Sequence, residues 1–257
     1  MAEVLHQTDH EVRVAKEMMH RSAVIIPVLN EGDDIGRIVK GIKNEFPALD
    51  VIVVDDGSDD RSKEIAIETG AKVLSHVCTM GYGVALQTGY KYLKDKQQYD
   101  YVVQMDGDGQ HNYKDIPKLL FPLSQNDTDL VIGSRFIIHN NGYKIPFIRK
   151  FGILFFRALV NIFGKNSIKD ITSGLQAFNR SVLEKYSSDE MPFYYPDGDV
   201  LILLLKTGAS VKEISTPMFA NKKGKSMHNG LGQQFYYVIT MILSILLMVL
   251  KTRGEEE

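Results

Sequence analysis

Short runs of β-branched residues alternate with helix-compatible stretches from Ser22 onward, and this alternation constrains the fold more than any other feature of the chain. The apolar runs are Ala23-Val-Ile-Ile26, Val51-Ile-Val-Val54, Lys72-Val-Leu74, Tyr101-Val-Val-Gln-Met105 and Asp129-Leu-Val-Ile132. Runs so continuously apolar are typical of strands buried on both faces, which is the habit of parallel sheets. The stretches between them, about 34–46, 60–69, 83–95 and 113–125, open on polar or glycine-containing turns such as Asn30-Glu-Gly-Asp-Asp34 and Asp56-Gly-Ser-Asp-Asp60. Repeated βαβ units predict an α/β fold with a mainly parallel sheet flanked by helices. Ligands of such open sheets bind beyond the carboxyl ends of the strands, and Asn30, Asp55, Asp56, Asp106 and Asp108 all fall at such ends.

Composition sets the outer limits. With 44% hydrophobic residues in 257, the chain holds enough apolar material for one core. Lys+Arg 30 against Asp+Glu 32 leaves no global charge excess, so no nucleic-acid partner is expected. Cys78 is the only cysteine, which excludes an internal disulfide framework and points to a reducing compartment. Residues 1–21 are charged throughout and lack the apolar centre of a secretory signal, so they read as an N-terminal arm and no export is expected.

The segment Val102-Val-Gln-Met-Asp106-Gly-Asp108-Gly-Gln110-His111 runs an apolar strand into two aspartates two residues apart. Carboxylates placed this way face the same side at a strand end and repel each other unless a cation lies between them. Mg²⁺ or Mn²⁺ accepts one or two carboxylates and leaves its other positions to water and substrate phosphates. Gly107 and Gly109 allow close backbone approach, and Gln110 adds a neutral oxygen. The competing reading is a solvated Asp-Gly turn. Asp55 and Asp56, which end the second strand, either accept hydrogen bonds from a nucleotide or cap the helix expected near Asp59.

Taken together, Pro27-Val-Leu-Asn30-Glu31, Asp55-Asp-Gly-Ser58, Gly81-Tyr-Gly-Val-Ala-Leu86, Asp106-Gly-Asp108 and Gly133-Ser-Arg135 resemble the family-2 glycosyltransferases of the GT-A fold. Asp170-Ile-Thr-Ser-Gly174-Leu-Gln-Ala-Phe178 and Gly224-Lys-Ser226 resemble the branch that acts on polyprenyl phosphates, and the similarity spans residues 22 to about 228. The resemblance implies a catalytic domain over 22–228. It implies that Pro27, Asn30, Glu31, Asp55, Asp56, Gly83, Asp106, Gly107 and Arg135 line the nucleotide-sugar site, and that Asp106, Asp108 and Gln110 hold Mg²⁺ or Mn²⁺ against the diphosphate of a UDP- or GDP-sugar. Asp108 and Arg135 would then act at the reacting centre, the cation serving as a Lewis acid for the departing nucleoside diphosphate. Inversion by a single in-line displacement is implied as well.

The acceptor decides whether a general base is needed. A hydroxyl needs one, whereas a lipid phosphate is already anionic. The best-placed extra carboxylates are Asp199 and Asp197 in Tyr195-Pro-Asp197-Gly-Asp199, read either as base or acceptor-orienting groups or as caps of the apolar helix Val200 to Leu205. Lys222, Lys223, Lys225 and Ser226 form a basic loop for a diphosphate or lipid phosphate, or else an ordinary solvated loop. Two departures from the family pattern stand out. Tyr82 lies between glycines where relatives often have a basic residue, and Asn221 stands where the polyprenyl branch tends to have arginine.

Two segments point to a membrane. Residues 145–165 are rich in phenylalanine and carry Arg149, Lys150 and Arg157 on one side, as expected of an amphipathic helix lying at the interface or packing on a core. Leu231 to Leu250 contains no charged side chain and is followed by a charged tail, so 229–257 reads as an apolar C-terminal helix that either crosses the bilayer or lies along it. The expected product is a glycosyl polyprenyl phosphate made at the cytoplasmic face of the cell membrane for envelope glycan synthesis. A small membrane-protein partner that completes the anchor, or a homo-oligomer, is expected. The alternatives are transfer to a sugar hydroxyl of a polysaccharide or lipid-linked glycan, and a non-catalytic scaffold that only binds nucleotide sugars.

Overall fold

The computed structural model describes residues 14, 17–137, 147–164, 166–189, 198–219, 239–240 and 242–244. Its elements run β1 (Ser22–Val28), α1 (Gly32–Glu45), β2 (Asp50–Asp55), α2 (Ser62–Glu68), β3 (Lys72–Ser75), α3 (Tyr82–Lys94), β4 (Tyr101–Gln104), α4 (Ile116–Ser124), β5 (Leu130–Ser134), α5 (Phe147–Gly164), β6 (Gln176–Asn179), α6 (Arg180–Tyr186), α7 (Gly198–Lys206) and β7 (Val211–Ser215). The strands form a 7-stranded sheet in the order β3-β2-β1-β4-β6-β5-β7. β1 pairs in parallel with β2 and β4, β2 with β3, and β5 with β7, while β6 lies antiparallel between β4 and β5.

The period-2 geometry of a strand splits β1 between two cores. Ala23 and Ile25 pack with Val54, Leu86, Tyr90, Phe178 and Val160 on one face of the sheet. Val24, Ile26 and Val28 pack with Ile38, Ile42, Leu119 and Leu120 on the other. All seven residues of β1 are buried, which is why the run carries no polar alternation.

From β1 the chain proceeds to β2 and β3 on one side and to β4 on the other, so the carboxyl ends of β1 and β4 form the switch point where a crevice opens in folds of this type. Gly107 sits there against β1: a Cβ on it would come within 2.9 Å of Val28 Cγ2 and 3.0 Å of the Pro27 carbonyl oxygen. Only glycine lets the turn after β4 lie this close to β1.

Three expectations are revised. The sheet is mostly parallel, as the apolar runs indicate, but β6 and β7 were absent from that reading. Residues Asp55 and Asp56 do not cap α2; its N-cap position is Arg61, and Asp60 Oδ1 accepts the Ser62 amide at 2.9 Å. The C-terminal membrane-associated helix finds no support: of residues 229–257 only 239, 240 and 242–244 are described, and among the described residues no helix is long and apolar enough to cross a membrane.

Candidate active site

Asp106 and Asp108 lie on the turn that follows β4 and differ in their surroundings. Asp106 Oδ1 accepts a hydrogen bond from the Tyr82 hydroxyl at 2.8 Å. Its Oδ2 lies 3.5 Å from His111 Nε2. That separation is too long for a strong hydrogen bond, and both ring nitrogens of the buried His111 are without a hydrogen-bond partner among the described residues. Burial by itself raises the Asp106 carboxyl, but His111, the Tyr82 hydroxyl and the charge of Arg135 outweigh it and hold the group below the ordinary carboxylate range. Asp108 moves the other way. Desolvation first, and then the Asp106 charge, push its carboxyl up to about 6, although its Oδ1 accepts the Gln110 amide at 3.0 Å.

Gln110 joins this turn to the chain leaving β7. Its carbonyl accepts the Phe219 amide at 2.9 Å, its Nε2 donates to the Phe219 carbonyl at 3.1 Å, and His111 forms a bridge with Met218. With Nε2 spent, the side-chain oxygen of Gln110 is the atom left to serve as a ligand. Among the described residues no group of three or more His, Cys, Asp and Glu side chains closes a protein cage for a metal. Two carboxylates and an amide oxygen without a cage fit a hard cation that completes its shell with water and phosphate, and a carboxyl raised first by burial and then by its neighbour's charge is consistent with such a place.

At the end of β2 the acidic pair divides its work. Asp55 Oδ1 accepts the Ser58 amide at 3.3 Å. Asp56 accepts the amides of Met80 at 2.9 Å and Gly81 at 2.8 Å, and meets His76 Nδ1 at 2.7 Å. His76 Nε2 in turn reaches Thr88 Oγ1 at 2.9 Å. Asp56 therefore fastens β2 to the turn that opens α3, a role the sequence did not reveal. Asn30, with φ 58, bonds through Oδ1 to the amides of Asp59 at 2.9 Å and Asp60 at 3.3 Å. The Glu31 amide donates to Ser62 Oγ at 2.8 Å, so the loops after β1 and β2 are laced together. Pro27 and Gly83 are buried.

Arg135, expected at the reacting centre, is paired with a buried carboxylate while its charge still acts on Asp106. Its Nε and Nη2 grip both oxygens of Asp170 at 2.7 and 2.6 Å, and Nη2 also donates to Thr172 Oγ1 at 2.7 Å. Asp170 is fully buried, and the amides of Lys169 and Asp170 both donate to Glu213 at 2.8 Å. Removing one partner of a buried pair strands the other charge, which costs about 3–5 kcal/mol. Arg135→Leu is accordingly expected to lower the urea-unfolding free energy by that amount, and a loss below about 1 kcal/mol would show that Asp170 finds other compensation.

Asp199 opens α7 and is buried, its Oδ1 accepting the Val200 amide at 2.8 Å and its Oδ2 the hydroxyl of Ser244. Asp197, Lys222, Lys223, Lys225 and Ser226 lie outside the described residues. Sequence reasoning missed Gly174 as a contact residue: a Cβ there would fall 2.0 Å from Asp106 Oδ2. On α5, Phe156 and Val160 are buried, while Leu154, Phe155 and Ile162 are exposed.

This sheet, with an acidic turn at its β1/β4 switch point, belongs to a glycosyltransferase. The sequence matches the model described as glycosyl transferase family 2 over residues 23–187, and the chain belongs to that family. It is 29% identical over 222 residues to a polyprenol monophosphomannose synthase of Mycolicibacterium smegmatis, with 82% of each chain covered. It is 28% identical to an undecaprenyl-phosphate mannosyltransferase of Micrococcus luteus, covering 82% of this chain and 88% of that one. Among solved structures it shares its fold with glucosyl-3-phosphoglycerate synthase of Mycobacterium tuberculosis in complex with Mn²⁺ and UDP-glucose, at a TM-score of 0.69 and 23% identity, covering 95% of this chain and 84% of that one.

Proposed function

We propose that the protein transfers a sugar from a nucleoside-diphosphate sugar to a polyprenyl phosphate, working at the cytoplasmic face of a membrane in envelope glycan synthesis. The observation that carries this reading is the Asp106/Asp108 turn at the β1/β4 switch point, with the Asp108 carboxyl pushed up to about 6 by burial and by the charge beside it. Asp106, Asp108 and Gln110 hold Mg²⁺ or Mn²⁺, which when bound stabilises the charge of the departing nucleoside diphosphate. The Mn²⁺ and UDP-glucose bound to the structural relative support both the cation and a nucleotide-sugar donor. The loops carrying Asn30, Glu31, Asp55 and Asp56, together with Pro27, Gly83 and Gly107, frame the nucleotide side. Lys222, Lys223, Lys225 and Ser226, which lie outside the described residues, are the basic set proposed to meet phosphate.

Asp199 favours the lipid-phosphate acceptor over a sugar hydroxyl. Its carboxylate is buried and engaged by Val200 and Ser244, which is a poor setting for taking a proton from an incoming hydroxyl. A phosphate acceptor brings its own negative charge and dispenses with a base. The names of the mycobacterial and micrococcal relatives agree with that acceptor class. Exposed Leu154, Phe155 and Ile162 on α5 support contact with a lipid surface, where apolar side chains sink below the headgroups.

The test is to incubate the purified protein with a panel of UDP- and GDP-sugars, Mg²⁺ or Mn²⁺, and undecaprenyl phosphate, following nucleoside diphosphate and lipid mass together. The expected product is a glycosyl phosphodiester formed only when the cation is present. Metal-independent transfer would overturn the cation assignment, and transfer solely to sugar hydroxyls would overturn the acceptor assignment.

A further inference from the structure

Building on the cation site just described, we propose that Tyr82 is a positioning residue: it sets the orientation of the Asp106 carboxylate from the end of a hydrogen-bond relay that begins at the buried Tyr90. The Tyr82 hydroxyl donates to Asp106 Oδ1 at 2.8 Å. Gln104 Nε2 donates to the Tyr82 oxygen at 3.2 Å. The Tyr90 hydroxyl donates to Gln104 Oε1.

The direction of this chain is dictated from its charged end. An ionised carboxylate only accepts, so Tyr82 must give its proton to Asp106 and can only accept from Gln104. Gln104 then turns its NH₂ towards Tyr82 and its oxygen towards Tyr90, which must donate. Each bond polarises the next, and the last one, ending on a charge, is the strongest.

The far end of the relay is anchored. Tyr90 and Gln104 are 3% and 5% exposed. The Tyr90 ring meets Phe178 edge-on at 5.8 Å and Tyr186 at 5.2 Å. Gln104 is held in β4 by register with Ile25 on β1 and Gln176 on β6. Orientation is thus conveyed from the sheet interior to the cation turn.

A basic residue at position 82 would break the relay, since lysine and arginine offer no acceptor for Gln104 Nε2. The tyrosine hydroxyl both accepts and donates. With it, Asp106 is already aimed before any cation arrives, and the second oxygen remains between His111 and Gly174.

Tyr82→Phe removes the hydroxyl and keeps the ring in its place against the core. Loss of a group that orients a metal ligand costs about 10-fold or more in metal affinity. Mn²⁺ binding to the sugar-free protein, read by electron paramagnetic resonance of the unbound ion, is expected to weaken by about that factor. The apparent Mn²⁺ constant in turnover should rise in parallel, with kcat recovering at saturating Mn²⁺. Tyr90→Phe should weaken binding in the same sense but less, because it acts through two intervening bonds, and it decides the matter if Tyr82→Phe does not fold. Unaltered Mn²⁺ affinity in the folded variant overturns the relay alone. A wild-type protein that takes up no Mn²⁺ overturns the cation reading on which the relay rests.

Discussion

Asp108→Asn is expected to lower turnover about 1000-fold while making the metal-free protein more stable at neutral pH. The first effect follows from the proposed role of Asp108 as an anionic ligand beside the charge that develops on a departing diphosphate, where several kcal/mol of stabilisation are at stake and each 1.36 kcal/mol is about tenfold in rate. The second follows from the direction of the Asp108 shift. Its carboxyl stands at about 6 in the folded chain, above the ordinary value of 3.8, so ionising it costs more in the folded state than in the unfolded one. The cost is absent below about pH 4, where both states hold the proton, and is complete above about pH 6, where neither does. Asparagine abolishes it. Allowing for partial solvent screening, the gain is about 1–2 kcal/mol at pH 8 and close to none at pH 3.5. Paired urea titrations at the two pH values, alongside steady-state kinetics, check both halves. A variant that is both inactive and no more stable at pH 8 would show that Asp108 is not strained in the metal-free protein.

Gly174→Ala is the second large effect. The added Cβ would lie 2.0 Å from Oδ2, 2.5 Å from Cγ and 2.6 Å from Oδ1 of Asp106, so the carboxylate must swing away. Moving it breaks the 2.8 Å bond to Tyr82 and displaces a carboxylate proposed to share the cation with Asp108. Misplacing a reacting group by about 1 Å costs about 100-fold, and kcat/KM is expected to fall by that much or more. The backbone at Gly174 is not in the left-handed region, so the stability cost is confined to the displaced carboxylate and its lost bond, about 1.5–3 kcal/mol. Full activity in a folded Gly174→Ala protein would show that Asp106 has freedom the packing does not indicate.

The half of the fold that the chain declares openly is the part built from unbroken apolar runs. β1, β2 and β4 are buried on both faces and leave a period-free hydrophobic signature, while α1 and α3 follow at the spacing of ordinary crossovers. β6 escaped notice because Gln176-Ala-Phe-Asn179 is four residues long and half polar, and its antiparallel place between β4 and β5 is a tertiary fact with no local signal. β7, Val211-Lys-Glu-Ile-Ser215, is an edge strand and correspondingly polar. The acidic residues could be located in advance because strand ends dictate where they emerge. Their partners could not. Asp170 lies 35 residues beyond Arg135, and Tyr82 lies 24 before Asp106; such pairings exist only once the sheet has assembled. The protein partners of Arg135 and Asp56 were illegible for that reason: the first is gripped by Asp170 and the second by Met80, Gly81 and His76.

The paired bonds between Gln110 and Phe219 bear on how much a ligand must still organise. They hold the turn after β4 to the chain leaving an edge strand of the sheet, so its conformational freedom is surrendered when the protein folds and not when substrate arrives. Ordering a loop at the moment of binding subtracts from affinity, typically by about 0.5–1.5 kcal/mol for each side chain immobilised. At this turn that subtraction has been made beforehand, and an arriving donor meets a segment already tethered to the sheet.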